Sequence, residues 1–152
     1  MSGAIVLPPA AAPTASWAAI RDGMAARLST IGTLTVKART PISSTQEDDI
    51  AVVEFAPQAI QPYGLSLLIT VDVRVILQTY RATVEDSERA LDVYLWPKGA
   101  QSVVAAVMGD QTLGGVVSAT EWLSSGTPYG TPEGNALGRQ SEVVFRCAVD
   151  AT

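Results

Sequence analysis

The chain has no histidine, and charged residues make up only 16% of its 152 residues. Histidine is the side chain that most often transfers protons in enzymes near neutral pH. Without it, a serine nucleophile needs a lysine or carboxylate base, and the sequence has no Gly-x-Ser-x-Gly nucleophile elbow. These absences predict that the protein is not an enzyme.

Basic residues are also few, with 10 Lys and Arg against 15 Asp and Glu, which gives a net charge of -5. No run of Lys or Arg could neutralise several neighbouring phosphates, so specific nucleic-acid binding is not expected. An acidic surface is compatible with a channel that DNA passes through, because like charges disfavour contact with the DNA backbone.

Cysteine and long apolar runs are scarce as well. Cys147 is the single cysteine, and it lies in an alternating apolar segment, which predicts a small buried hydrophobe and fits a reducing cytoplasm. No stretch reaches the roughly 18 apolar residues of a membrane-spanning helix. The first nine residues have no basic region, and prolines interrupt their apolar run, so we expect no signal peptide.

What the chain does have is 47% hydrophobic residues, which with so little charge predicts that partners cover part of its surface. Its length fits one domain.

Residues 1–13 are rich in Ala and Pro and predict an extended arm, because Pro8, Pro9 and Pro13 fix the backbone and lack N–H donors. This arm either lies on a neighbouring subunit or is a frayed terminus. Residues 14–152 predict a single domain.

Apolar residues at helical spacing predict a first helix over residues 15–31, starting at Thr14 or Ser16. Thr83 begins a second helix, with a capping box to Asp86, and Pro97 ends it. Ser102 begins a short third helix that Gly109 stops.

Strands are predicted over residues 33–39, 50–55, 65–77, 116–123 and 140–149, with the last two forming an antiparallel pair. The segment 65–77 alternates strictly and spans about 40 Å at about 3.3 Å per residue, which is long for a strand. We therefore expect one of its ends to project and pair with another chain. The predicted fold is α+β: a mostly antiparallel sheet of about five strands, with two main helices and one short helix packed on it.

Two aromatic-bearing loops are candidate partner contacts. The first is a turn punctuated by Pro57, Pro62 and Gly64, and the second spans residues 124–138. The alternative for each tyrosine is that it folds back on its own domain. The candidate contact residues are Tyr63, Gly64, Pro128, Tyr129 and Pro132.

The acidic residues Glu47, Asp48 and Asp49 close a polar segment that predicts an exposed loop. Adjacent carboxylates seldom converge on one ion, and the calcium-loop spacing is missing, so we predict no metal site. These residues are expected to be solvated or to face the lumen of a ring. The glycines between 109 and 115 lack the P-loop and dinucleotide-binding patterns, so we predict turns there and no cofactor.

Between Tyr94 and Gly115 the chain has an aromatic-Leu-x-Pro-x-Gly step, a short Ser-Val helix and then Asp-x-Thr-Leu-Gly-Gly before a hydrophobic segment. This combination resembles the centre of the tail terminator (tail completion) proteins of long-tailed bacteriophages. A weaker resemblance extends from Trp17 to Val149. The residues that carry the motif are structural: Pro97, Gly99, Ser102, Asp110, Thr112, Leu113, Gly114 and Gly115.

The resemblance implies a structural virion protein that forms a homohexameric ring. Such a ring binds the head-proximal end of the tail tube, stops addition of the major tail tube protein, and joins the tail to the head connector or stopper. It implies the host cytoplasm during assembly, no membrane, and DNA passing through the lumen without specific binding. The alternatives are a head-completion or connector protein of the phage neck, which is more often a small β-barrel or largely helical, and a small ligand-binding protein.

Overall fold

The computed structural model describes residues 16–37, 49–62, 68–130 and 137–150. Within these ranges three helices and six strands form one α+β fold, as the sequence predicted, with a two-residue strand added to the expected five. The helices are α1 (Trp17–Leu28), α2 (Val84–Leu95) and α3 (Val103–Met108). The strands are β1 (Leu34–Lys37), β2 (Asp49–Pro62), β3 (Leu68–Tyr80), β4 (Ala119–Ser125), β5 (Tyr129–Gly130) and β6 (Gly138–Asp150).

The strands form a single sheet in the order β1-β2-β3-β6-β4, with β5 also pairing β6. All pairs are antiparallel except the parallel pair of β1 and β2. β3 pairs β6 along its whole length and pairs β2 from Ile69 to Gln78. The prediction that one end of this strand projects toward another chain is therefore wrong for residues 69–78, because β2 and β6 pair with both edges of β3 there. Residues 65–67 lie outside the described residues.

β2 is longer than the sequence predicted. The expected turn at Pro57 and Pro62 instead lies within the strand, which continues to Pro62. Its register with β3 shifts between Phe55 and Ile60, so Pro57 lies in an irregular stretch of the ladder. A proline cannot donate a ladder hydrogen bond, and an irregularity of this kind is where a strand tolerates one.

Helix α1 begins where the Ser16 hydroxyl accepts a hydrogen bond from the Ala19 N–H. Its buried residues Ile20, Met24 and Leu28 follow the predicted stripe, although the helix ends three residues before the predicted Ile31. Trp17, at its first position, is 47% exposed and packs edge-on against Phe55 with ring centroids 4.4 Å apart.

The main core lies between the three helices and one face of the sheet. Alternate residues of the central strands point into it, as their periodicity predicted. Its fully buried members include Val73, Val75, Leu77, Val143, Phe145 and Cys147 from the sheet and Met24, Leu28, Leu91, Val103 and Val107 from the helices. Cys147 is a free buried thiol, as expected, and burial raises its pKa.

The other face of the sheet carries ion pairs between neighbouring strands. Arg146 on β6 makes two hydrogen bonds to the Asp72 carboxylate on β3, at 2.8 and 3.1 Å. Arg74 lies 3.5 Å from both Glu54 and Glu142. Because most of these side chains are about one third exposed, each pair stabilises the sheet by at most about 1 kcal/mol.

Replacing Val143 with alanine tests this assignment of faces. Val143 is fully buried against the helices, so Val143→Ala should lower the free energy of unfolding by about 2 kcal/mol through lost burial and a cavity. Val144 is its matched control, since it precedes Phe145 on the half-buried opposite face and should cost less than half as much. Urea denaturation measures both, and equal losses would contradict the assignment.

Candidate interaction surface

The segment that carries the family resemblance joins α2 to α3 through side chain–backbone hydrogen bonds. The Ser102 hydroxyl accepts from the Ala105 N–H at 3.1 Å and donates to the Trp96 carbonyl, so the start of α3 is fastened to the end of α2. Pro97 follows the last helical turn, and Gly99 has a φ of 114°, a conformation that favours glycine. These residues fix the direction in which the chain leaves α2.

A second turn follows α3. The Asp110 carboxylate accepts hydrogen bonds from the Thr112 hydroxyl and from the backbone N–H groups of Thr112 and Gly114, and these bonds lower its pKa. Leu113 is buried with a φ of 52°, the one positive value for a non-glycine residue in the described ranges. Gly114 and Gly115 continue the turn at 76° and 89°. All eight residues that carry the motif thus lie in these two turns.

Asp49 requires a correction. The sequence placed it on an exposed acidic loop, but it is the first residue of β2 and only 8% exposed. Its carboxylate accepts two hydrogen bonds from the Arg81 guanidinium, at 2.7 and 3.0 Å, and one from the Tyr94 hydroxyl. These partners compensate its burial. The prediction of an exposed loop is therefore wrong for Asp49, and its position in a channel stays a prediction. Glu47 and Asp48 lie outside the described residues.

Tyr94 completes this polar cluster from the buried face of α2. It is 1% exposed, and its hydroxyl is 3.0 Å from the Thr33 hydroxyl. Burial, together with the hydrogen bond to Asp49, raises the pKa of Tyr94 to about 12. The Asp49 hydrogen bonds likewise raise the pKa of Arg81. The cluster ties β2, the end of β3 and α2 together.

A polar cavity of about 550 Å³ opens beside this cluster, with Arg81, Arg89 and Gln101 among its lining residues. Sequence reasoning missed it, because its residues are far apart in the chain: Arg81 is 32 positions and Tyr94 45 positions from Asp49. Within the described part of the chain, no three or more Cys, Asp or Glu side chains group as metal ligands.

An apolar groove of about 650 Å³ adjoins the cavity at the end of α2, and Val93 lines both. Trp96 is 68% exposed and Val93 is 43% exposed, and the flanks carry Asp92, Lys98 and Gln101. We call the surface of Val93, Trp96 and Gln101 the Trp96 groove. The sequence could have indicated this groove, because Val93 lies off the buried stripe of α2 and Trp96 follows the last turn of that helix.

The β4 side of the sheet is a second exposed apolar region. β4 is the last strand in the sheet order, so no other described strand pairs with its outer edge. Trp122 and Leu123 on it are each 38% exposed, and Tyr129 on β5 is 46% exposed. The Tyr129 hydroxyl also accepts a hydrogen bond from Gln140 at 3.1 Å, so part of its side chain contacts its own domain.

Of the predicted partner-contact residues, Tyr129 is therefore exposed in a short strand, and Pro128 beside it is half-buried. Tyr63, Gly64 and Pro132 lie outside the described residues. The structure does not bring Tyr129 to the Trp96 groove, because Tyr129 pairs with β6 while the groove borders Thr33 and β2.

Comparison of this chain with protein-family models and with curated proteins gives no match. In the described ranges, no helix has the length and hydropathy that a membrane crossing requires. The features of this chain that bear on its function are therefore the two exposed apolar regions and the motif between residues 94 and 115.

Removing the Arg81 guanidinium should destabilise the fold. Arg81→Met leaves the buried Asp49 carboxylate with one fewer charged partner, so the free energy of unfolding should fall by about 2 kcal/mol. Arg89 lines the same cavity but is exposed, and Arg89→Met should change stability by less than about 0.5 kcal/mol. Urea denaturation at pH 7 compares them, and equal effects would contradict the role of Arg81.

Tyr94 should also make stability depend on alkaline pH. An unfolded tyrosine loses its proton near pH 10, whereas folded Tyr94 holds its proton to about pH 12. Between these values the folded state binds more protons, so its contribution is present below pH 10 and is lost as the pH rises toward 12. The free energy of unfolding should therefore fall more steeply across this window than in Tyr94→Phe. Parallel slopes would contradict the raised pKa.

Proposed function

We propose that this chain is a structural subunit of a phage tail terminator, forming a homohexameric ring on the head-proximal end of the tail tube. The observation that carries the proposal is the outer edge of β4, which pairs with no other described strand and on which Trp122 and Leu123 are exposed. An edge of this kind pairs readily with another chain, and natural proteins cover it or protect it.

Contact through β4 would be one half of a head-to-tail interface. The exposed apolar regions of the described chain differ from each other, since one lies on the β4 side and the other beside the end of α2. A contact between two different surfaces repeats from subunit to subunit and closes into a ring when the rotation allows it. Six weak contacts made at the same time with a six-fold tube end would then give a high overall affinity for that end.

The motif and the fold support the terminator over its alternatives. The residues that resemble the family form the hydrogen-bonded turns around α3, so the resemblance concerns positions that define the backbone path. The open α+β sheet differs from the β-barrel or helical folds more often found in neck connectors. The polar cavity beside Asp49 favours a third function, the binding of a small polar ligand, which would require no assembly.

Light scattering of the purified protein tests the proposal. We expect a species of six times the 15.9 kDa chain mass, either alone or after addition of tail tube protein. Leu123→Lys places a charge on the exposed β4 edge and should remove that species while leaving a folded monomer. Ala26→Lys, on the exposed face of α1, is the control and should assemble normally. A monomer that ignores tubes would instead favour ligand binding.

A further inference from the structure

The Trp96 groove has an apolar surface with nearly balanced charge around it. Trp96 and Val93 lie one helical turn apart, so their exposed side chains form one continuous surface. Asp92 and Lys98 flank this surface with one charge of each sign. A large exposed aromatic side chain of this kind usually marks a site that another segment covers. An uncharged apolar segment fits this surface better than a strongly charged one.

Residues 1–15 of the chain have the matching composition. They carry no Asp, Glu, Lys or Arg, and Ile5, Val6 and Leu7 precede Pro8 and Pro9. Proline restricts the unbound backbone, so a proline-containing segment loses less conformational entropy on binding, and such segments commonly dock on aromatic-lined grooves. The groove also has Gln101 on its flank, an amide side chain able to donate a hydrogen bond to an extended backbone.

The start of α1 lies away from the groove of its own subunit. Trp17, at the start of α1, contacts Phe55, whereas the groove adjoins the cavity lined by Asp49. Asp49 and Phe55 are six positions apart on β2, or about 20 Å. Gln101 at the groove donates a hydrogen bond to Thr33, which follows the other end of α1. The segment preceding Ser16 therefore joins the subunit at the end of α1 away from its own groove. Because the segment is long enough to span that separation, its assignment to the next copy rests on the proposed ring.

We propose that residues 1–13 of one copy dock in the Trp96 groove of the next copy. This inference rests on the proposed ring, to which it assigns a specific contact. Thirteen extended residues reach about 45 Å, enough to leave one subunit and follow a groove on its neighbour. Because the docked segment and the groove are different surfaces of the chain, the contact is head-to-tail and repeats around a ring.

Disulfide cross-linking between co-expressed variants, each with one introduced cysteine, tests the contact. One chain carries Ala10→Cys and the other Lys98→Cys at the groove, so a disulfide between them joins two copies by construction. Cys147 is fully buried and does not compete. As a control, Lys98→Cys is replaced by Thr127→Cys, which is exposed near the β4 side of the sheet. We expect at least tenfold more two-chain product with Lys98→Cys than with Thr127→Cys.

Variants of the two surfaces show whether the cross-link depends on the proposed docking. Trp96→Ala should abolish it, because it removes a large side chain that is 68% exposed at the groove, and Trp96→Phe should retain it. The backbone carbonyl that Ser102 contacts is unchanged in both variants. Leu7→Asp should also abolish the cross-link by placing a charge in the docked segment, independently of any change to the folded domain.

Equal yields with Lys98→Cys and Thr127→Cys, or a yield unaffected by both Trp96→Ala and Leu7→Asp, would overturn the inference. In a variant that carries both Ala10→Cys and Lys98→Cys, a disulfide that forms only within single chains would also overturn it. Tube binding is scored separately. A Trp96-dependent cross-link in a protein that ignores tubes would support this contact and remove the terminator function, whereas tube capping without the cross-link would support the function and remove the contact.

Discussion

The pairing of β3 on both edges is the constraint on which the rest of the structure depends. β2 and β6 occupy its two edges, which places their alternate residues on the same two faces as those of β3. One face then becomes apolar enough to hold all three helices, while the other carries the ion pairs of Asp72 and Arg74. Because the strictly alternating strand β3 lies in the middle of the sheet, the surfaces available to partners lie at the sheet's periphery.

The Asp49 cluster connects this sheet to the surface we consider functional. Arg81 follows β3, Tyr94 belongs to α2, and both donate hydrogen bonds to a carboxylate at the start of β2. The cluster therefore holds the end of α2 against the sheet, and the Trp96 groove lies directly beyond it. The Ser102 hydroxyl donates a hydrogen bond to the Trp96 carbonyl and so joins the start of α3 to the end of α2. A hydrogen-bonded scaffold beneath an exposed aromatic side chain favours binding, because little conformational entropy is lost when a partner docks.

Local patterns predicted the local structure well. The alternation in β3 and β6, the helix starts at Thr83 and Ser102, and the turn glycines depend on neighbouring residues, and the structure has them where expected. The place of β3 within the sheet and the burial of Asp49 depend on residues many positions away, so no local pattern could reveal them. For the same reason the sequence indicated Tyr129 as an exposed aromatic but did not single out the Trp96 groove.

The central claim is that this chain assembles with itself on the end of a tail tube, and imaging tests it most directly. Purified protein is incubated with tail tubes and examined by negative-stain electron microscopy, with class averages taken of side and end views. The account predicts a ring of six subunits on one end of each tube and on no other part of it. Bare tube ends with the protein free in the background, or protein bound along the tube walls, would contradict it.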